Sequence, residues 1–384
     1  RRASLPLWAL ESGDPLTDFD AIGFSLGYEM AYTNVLNMLD LAGIPQKSAD
    51  RPGLLPLVFA GGSACVNPEP MADFLDLCLI GEGEEMDKEL LLLLRRAKKE
   101  GWTKSAFLRE AAKIEGVYVP SLYAPSYHDD GTIKAFRLLS GAPEKVRRRI
   151  VRDFDSSCFP TDSIVPSTEI VHDRVTLELF RGCVRGCRFC QAGFIYRPIR
   201  SRSREKLAEQ GVAALENTGY QEITLSSLST SDYKPLSGLC DDLLNYCEPR
   251  SIGLSLPSLR ADNFSLDLMN KVQKVRKSGL TFAPEAGTQR LRDAINKNVT
   301  EEDLLNTCRI AFEGGWNTIK LYFMLGLPTE TDEDVLAISE LAMKVLALFK
   351  SHAKNKARGA RITVSTSCFV PKPHTPFQWE AQVE

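Results

Sequence analysis

Three cysteines, Cys183, Cys187 and Cys190, stand in the run Leu179-Phe-Arg-Gly-Cys-Val-Arg-Gly-Cys-Arg-Phe-Cys-Gln-Ala-Gly193. This C-x3-C-x2-C spacing follows a short apolar strand, and three thiolates so close can hold three corners of a cubane iron–sulfur cluster. The fourth iron is then open to a substrate or cofactor. Ten cysteines scattered over 384 positions would produce the pattern about 0.007 times per chain, so the spacing marks a site. Gly182, Gly186 and Gly193 allow the backbone to wrap a bulky inorganic core. Arg185 and Arg188 add positive charge beside thiolates that must stay ionised. The alternative is a zinc site completed by His172 or a distant cysteine. Zinc favours paired C-x2-C knuckles, and the sequence has no second pair.

A regular rhythm of strands and helices must carry this loop. From Thr176 onward, strands are expected over 176–180, 222–226, 251–256, 279–283, 318–324 and 361–369. Helices are expected between them, over 203–217, 235–247, 265–275, 300–312 and 332–349. Right-handed crossovers curl six such strands into a partial (β/α)6 barrel with a wide mouth. Active sites of such barrels lie at the C-terminal ends of the strands, and the cysteines fall in the first loop there.

The first part reads as an incomplete Rossmann-like α/β layer over residues 1–99. Strands are expected over 19–25, 56–60 and 75–80, with helices over 28–41 and 86–98. Residues 100–175 are less regular and read as a connecting region, with a small sheet around Val117-Tyr-Val119. The basic run Lys145-Val-Arg-Arg-Arg149 is either a solvated linker face or a contact for a phosphate backbone. The fold class is therefore α/β, with the barrel over 176–384.

Composition sets the bounds. The chain is 43% hydrophobic and 25% charged, as globular proteins are. A net charge of −3 gives no global reason to bind nucleic acid or an anionic membrane. No apolar run approaches a membrane span. The chain begins Arg1-Arg-Ala-Ser and enters its first motif at once, so a further N-terminal segment is expected. No signal peptide is visible, and oxygen-sensitive cluster ligands call for a reducing, cytoplasmic compartment.

The cysteine loop after the first strand, with Phe189 before its last cysteine and six βα repeats behind it, resembles the radical S-adenosylmethionine enzymes. The resemblance runs from about Thr176 to Trp379. It implies a [4Fe-4S] cluster held by Cys183, Cys187 and Cys190, whose open iron is chelated by S-adenosylmethionine. Reduction by an external donor such as flavodoxin or ferredoxin cleaves the sulfonium to a 5′-deoxyadenosyl radical. Phe189 is then placed at the cofactor. The loop Leu225-Ser-Ser-Leu-Ser-Thr-Ser231 stands where the family has a Gly-Gly-Glu motif, with Ser226 and Ser227 offering acceptors instead. Glu285 is placed either to accept from ribose hydroxyls or to sit at a helix N-terminus near Thr288. Leu325 and Gly326 are similar to the segment that lets backbone approach the adenine. His374, in the last strand's loop, is either a proton donor or a residue without catalytic duty.

The strand into Gly61-Gly62 and the strand into Ile80-Gly-Glu-Gly-Glu-Glu85 resemble part of a cobalamin-binding domain, so cobalamin is a further candidate cofactor. A structural domain without it is the alternative. The D-x-H-x-x-G signature is missing, and His128-Asp-Asp-Gly131 is read as chance. The arrangement looks most like a bacterial subfamily of radical enzymes with cobalamin-type domains. Methylthiotransferases share much of the core. Cys65, Cys78 and Cys158 lack the look of a second cluster. Three readings follow: a radical enzyme of unknown substrate; a methylthiotransferase-like or methyltransferase enzyme acting on RNA or protein, with RNA met through Arg147–Arg149; and a non-catalytic iron–sulfur protein.

Overall fold

The structure is a computed structural model that describes residues 5–257, 280–354, 356–357 and 359–383. Two compact units divide the chain, 1–152 and 153–384.

In the first unit β1 (Ala21–Ser25), β2 (Leu57–Gly61) and β3 (Leu77–Leu79) are parallel, and β4 (Val117–Tyr118) joins β3 antiparallel. Side chains alternate across a strand. Val58, Ala60 and Cys78 therefore face one core with Val35 and Leu39 of α1 (Tyr32–Leu41). Leu57, Leu77 and Leu79 face the other core with Met86, Leu90 and Leu94 of α2 (Gly83–Glu100). Burial on both faces explains the unbroken apolar runs. Phe107 of α3 (Lys104–Ala111) joins that second core, so residues beyond 99 complete this layer.

Residues 146–151 also belong here. Arg149 bridges Gly81 in parallel, and its guanidinium reaches Glu85 at 2.6 Å and Glu89 at 2.8 Å. The basic run is thereby anchored to α2, and Arg149 is committed to carboxylates rather than held out for a phosphate. A hairpin, β5 (Tyr123–Tyr127) with β6 (Ile133–Leu138), carries His128 in its turn.

In the second unit six parallel strands follow chain order. β7 (Val175–Glu178), β10 (Glu222–Ser226) and β11 (Gly253–Ser255) form one sheet. β12 (Leu280–Glu285), β13 (Thr318–Leu325) and β14 (Arg361–Cys368) form the next. α5 (Arg204–Thr218) and α6 (Leu236–Cys247) cover the first sheet through Leu207, Leu215, Leu239 and Leu243. α8 (Glu301–Glu313) and α9 (Asp332–His352) cover the second through Leu304, Phe312, Leu341 and Val345. The helix expected over 265–275 lies outside the described residues. Among the described residues no helix is long and apolar enough to cross a membrane.

The expected first strand is broken at Leu179, whose N–H donates to Ser226 O at 3.0 Å. The chain then pairs antiparallel, β8 (Phe180–Arg181) against β9 (Arg200–Ser201). That pair is a neck, and the cysteine loop is the segment it closes. Arg181 and Arg202 lay their guanidinium groups over the buried Phe154 ring at 4.6 and 4.3 Å, which anchors both limbs.

Candidate functional site

The loop between the limbs of this neck carries the short helix α4 (Ala192–Ile195) and is held by its own returning chain. Gly182 has φ +91°, and a Cβ there would lie 2.8 Å from Tyr196 O. The returning chain's backbone leaves no room for a side chain there, so the loop's closure requires this glycine. Gly186 leaves room for Asn296, whose Nδ2 donates to Gly186 O at 2.8 Å. A Cβ on Gly193 would make ordinary contact with Cys190 Sγ, at 3.9 Å. Arg197 donates to Arg185 O at 2.9 Å and lies over Phe194.

None of Cys183, Cys187 and Cys190 is in a disulfide; Cys187 is buried and the other two are partly so. The Arg185 N–H donates to Cys183 Sγ at 3.4 Å. Burial pushes the Cys190 thiol up from its ordinary value, while the Gly193 N–H, the Lys297 charge and the Ala192 N–H pull it back. Backbone donors aimed at sulfur are what thiolate cluster ligands require. Among the described residues no three His, Cys, Asp or Glu side chains gather around a single ion's position. Corner ligands of a cubane each hold a different iron and need not share one ion's shell. The donor set fits the cluster.

The guanidinium groups expected near the thiolates are engaged elsewhere. Arg185 forms a two-point ion pair with Asp232, at 3.0 and 2.5 Å. Arg188 donates to Ala294 O through its side chain and to Ile295 O through its backbone N–H, the latter at 2.9 Å. Gln191 reaches Pro373 O at 3.2 Å. The cysteine loop is thus tied to segments that follow β10, β12 and β14.

Phe189 packs with Ala286, Leu291, Ile295, Leu327, Phe369 and Phe377, an apolar cluster at the same strand ends. Ser226 gives its carbonyl to Leu179, and the Ser227 hydroxyl meets Thr230 Oγ1 at 3.0 Å. Glu285 sits beyond an irregularity of β12 with φ +69° and takes Lys297 Nζ at 3.0 Å, both side chains mostly buried. It does not cap the following helix, α7 (Gln289–Ala294); Thr288 does, accepting from the Leu291 N–H. Leu325 O accepts from Phe369 N–H at 2.8 Å. Gly326 has φ +77° and donates to Glu330 Oε2 at 2.6 Å. A Cβ there would meet Val383 Cγ2 at 2.8 Å, so Gly326 accommodates a side chain of its own protein. His374 is exposed, with φ +65°.

In the first unit the glycines that suggested a flat ligand are used internally. A Cβ on Gly62 would lie 2.5 Å from Leu26 O, and one on Gly81 would lie 2.3 Å from Arg149 O.

Sequence reasoning missed Asp232, Asn296, Lys297, Gln191 and Arg197. Their partners lie 47, 110, 12, 182 and 12 positions away, so no spacing signal announces them. The two asparagines of Ile295-Asn-Lys-Asn298, both at positive φ, were the one local cue to a sharp turn. That turn rests on α7, so its cap matters. Thr288→Val should cost about 1–2 kcal/mol in chemical denaturation, because it removes the cap and the hydroxyl donated to Asp334.

Two family models match the chain: radical SAM proteins, N-terminal, over residues 1–120, and the radical SAM superfamily over residues 177–342. An uncharacterized protein of Methanocaldococcus jannaschii is 31% identical over 385 residues, covering 99% of this chain and 73% of its own length. The threonylcarbamoyladenosine tRNA methylthiotransferase MtaB of Treponema pallidum is 22% identical, over 55% of this chain and 44% of its own. The radical S-adenosylmethionine methyltransferase TsrM of Kitasatospora setae, solved with cobalamin and a [4Fe-4S] cluster, aligns with TM-score 0.60 and 14% identity. The alignment covers 93% of this chain and 63% of that one. The two matched segments, and a relative similar over nearly the whole of this chain, place the chain in the radical S-adenosylmethionine superfamily, α/β enzymes that use a [4Fe-4S] cluster and S-adenosylmethionine.

Proposed function

We propose that Cys183, Cys187 and Cys190 hold a [4Fe-4S] cluster with one open iron, and that the enzyme cleaves S-adenosylmethionine reductively to act on a further substrate. The observation that carries this reading is the loop itself. Three cysteines outside any disulfide share one loop, with backbone N–H groups directed at sulfur and ties to segments after three other strands. Held by these three cysteines, such a cluster would supply the electron for reductive cleavage of the cofactor's carbon–sulfur bond. The chain's own part is to hold the loop rigid, to offer Ser226, Ser227 and Glu285 toward the nucleoside and amino-acid ends of the cofactor, and to exclude water. The electron comes from an external donor such as flavodoxin or ferredoxin.

Cobalamin is suggested by the likeness to TsrM. A side chain on Gly62 or Gly81 would meet backbone of the same unit, so these two glycines are explained without a ligand, and we derive no step through cobalamin. Methylthio transfer to RNA is suggested by the similarity to MtaB over about half of that protein. The pairing of Arg149 with Glu85 and Glu89 removes one of the charges expected to meet the RNA.

The test is anaerobic reconstitution of the whole chain with iron and sulfide. About four irons per chain and broad visible absorbance are expected. After chemical reduction, added S-adenosylmethionine should yield 5′-deoxyadenosine or a methylated product. Reconstituted protein that leaves the cofactor intact would overturn the reading.

A further inference from the structure

The loop that stands in place of the family's Gly-Gly-Glu motif contains one carboxylate, Asp232, within Leu225-Ser-Ser-Leu-Ser-Thr-Ser-Asp-Tyr233. Its two oxygens accept from Nε and Nη2 of Arg185, which lies between Cys183 and Cys187. The same carboxylate accepts from the Ser229 hydroxyl at 2.6 Å. Ser229 N–H in turn donates to Ser227 Oγ at 3.3 Å, and Ser227 meets Thr230. The segment from Ser227 to Asp232 is therefore one closed network.

On the other side, Arg185 donates its N–H to Cys183 Sγ and gives its carbonyl to Arg197. One residue thus joins a cluster ligand to the loop after β10. A two-point guanidinium–carboxylate pair fixes distance and plane together, which a lysine cannot do. The two side chains are 24% and 16% exposed, so solvent does not screen the pair as it would at the surface.

We propose that Arg185 and Asp232 are positioning residues that set the distance between the cluster loop and the loop receiving the methionine end of S-adenosylmethionine. The motif's missing acid thereby acts on the cofactor through Arg185 rather than by touching it. This rests on the cluster assignment above. If the two loops drift apart, the open iron and the acceptors around Ser226 and Ser227 no longer meet the same molecule, and displacement of reacting groups by an ångström is costly.

The experiment compares whole-chain wild type with Asp232→Asn, Arg185→Lys and the exchanged pair Arg185→Asp with Asp232→Arg. All are reconstituted anaerobically and assayed with S-adenosylmethionine. Both single variants should load iron as wild type does, with KM for S-adenosylmethionine raised about tenfold and kcat less affected. The change that S-adenosylmethionine causes in the reduced cluster's paramagnetic resonance spectrum should weaken in parallel. The exchanged pair should recover part of both. KM within twofold of wild type and an unchanged spectrum in both single variants would overturn the clamp while leaving the cluster assignment standing. Iron loss in both single variants would also overturn it, because the pair would then hold the loop together rather than orient it. Wild type that neither loads iron nor consumes the cofactor would overturn both readings.

Discussion

Alanine at Cys183, at Cys187 or at Cys190 should each reduce iron from about four per chain to near background after reconstitution, and abolish 5′-deoxyadenosine release. Each thiolate holds a separate corner, so two remaining ligands do not retain a stable cubane. The informative control is Cys368, which is exposed at the C-terminal end of β14, opposite Leu325. It shares the rim of the strands but not the loop, and Cys368→Ser should keep its iron. Cys247 and Cys308 serve as buried controls. Burial pushes their thiols up to about 11 and about 12, so they stay protonated and inert at neutral pH. Iron that follows Cys368, with the loop cysteines dispensable, would place the site elsewhere.

Gly287→Ala should be among the most damaging single changes outside the cysteines. The added Cβ would sit 2.4 Å from Asp334 O and 2.6 Å from Ile338 N. Both are backbone atoms in α9, which cannot yield as a flexible side chain can. Around this contact the molecule is already tightly bonded. The buried Asp334 takes Thr288 and Arg290, and the fully buried Arg292 donates to Ala286 O and Gly287 O at 2.9 and 3.0 Å. A cost on the order of 3 kcal/mol or more is expected, visible as a fall of roughly ten degrees in the melting temperature. Since α7 carries the turn that supports Arg188 and Gly186, iron loading should fall with it. An alanine variant that melts as wild type does would show that α7 and α9 can separate without consequence.

Much of the frame was legible because it obeys local rules. Strands 222–226 and 361–369 and the helices over 203–217 and 300–312 appear within about a residue of their expected ends, since apolar periodicity and N-caps such as Ser203 and Thr300 act over a few residues. The first strand was harder. Its pattern ran apolar through Phe180, and nothing nearby says that Leu179 must turn to Ser226 and the next pair fold back. The same holds for 100–152, part of the irregular stretch read as a connecting region, although Phe107 and Val117 belong to the first unit's core.

The cysteine trio is a candidate that the sequence alone supplies, because residue type and spacing are properties of a short stretch of chain. Which charges stand beside it was not. Arg185, Arg188 and Arg149 look alike in one dimension, as free cations next to thiolates or phosphates. Only the tertiary structure commits the first to Asp232, the second to the carbonyls of Ala294 and Ile295, and the third to Glu85 and Glu89. The glycines depend on the fold likewise: a side chain on Gly62 would meet Leu26 O, and one on Gly81 would meet Arg149 O. A side chain's chemistry is written in its residue type, but its partner is chosen by whichever distant segment the fold brings within a few ångströms.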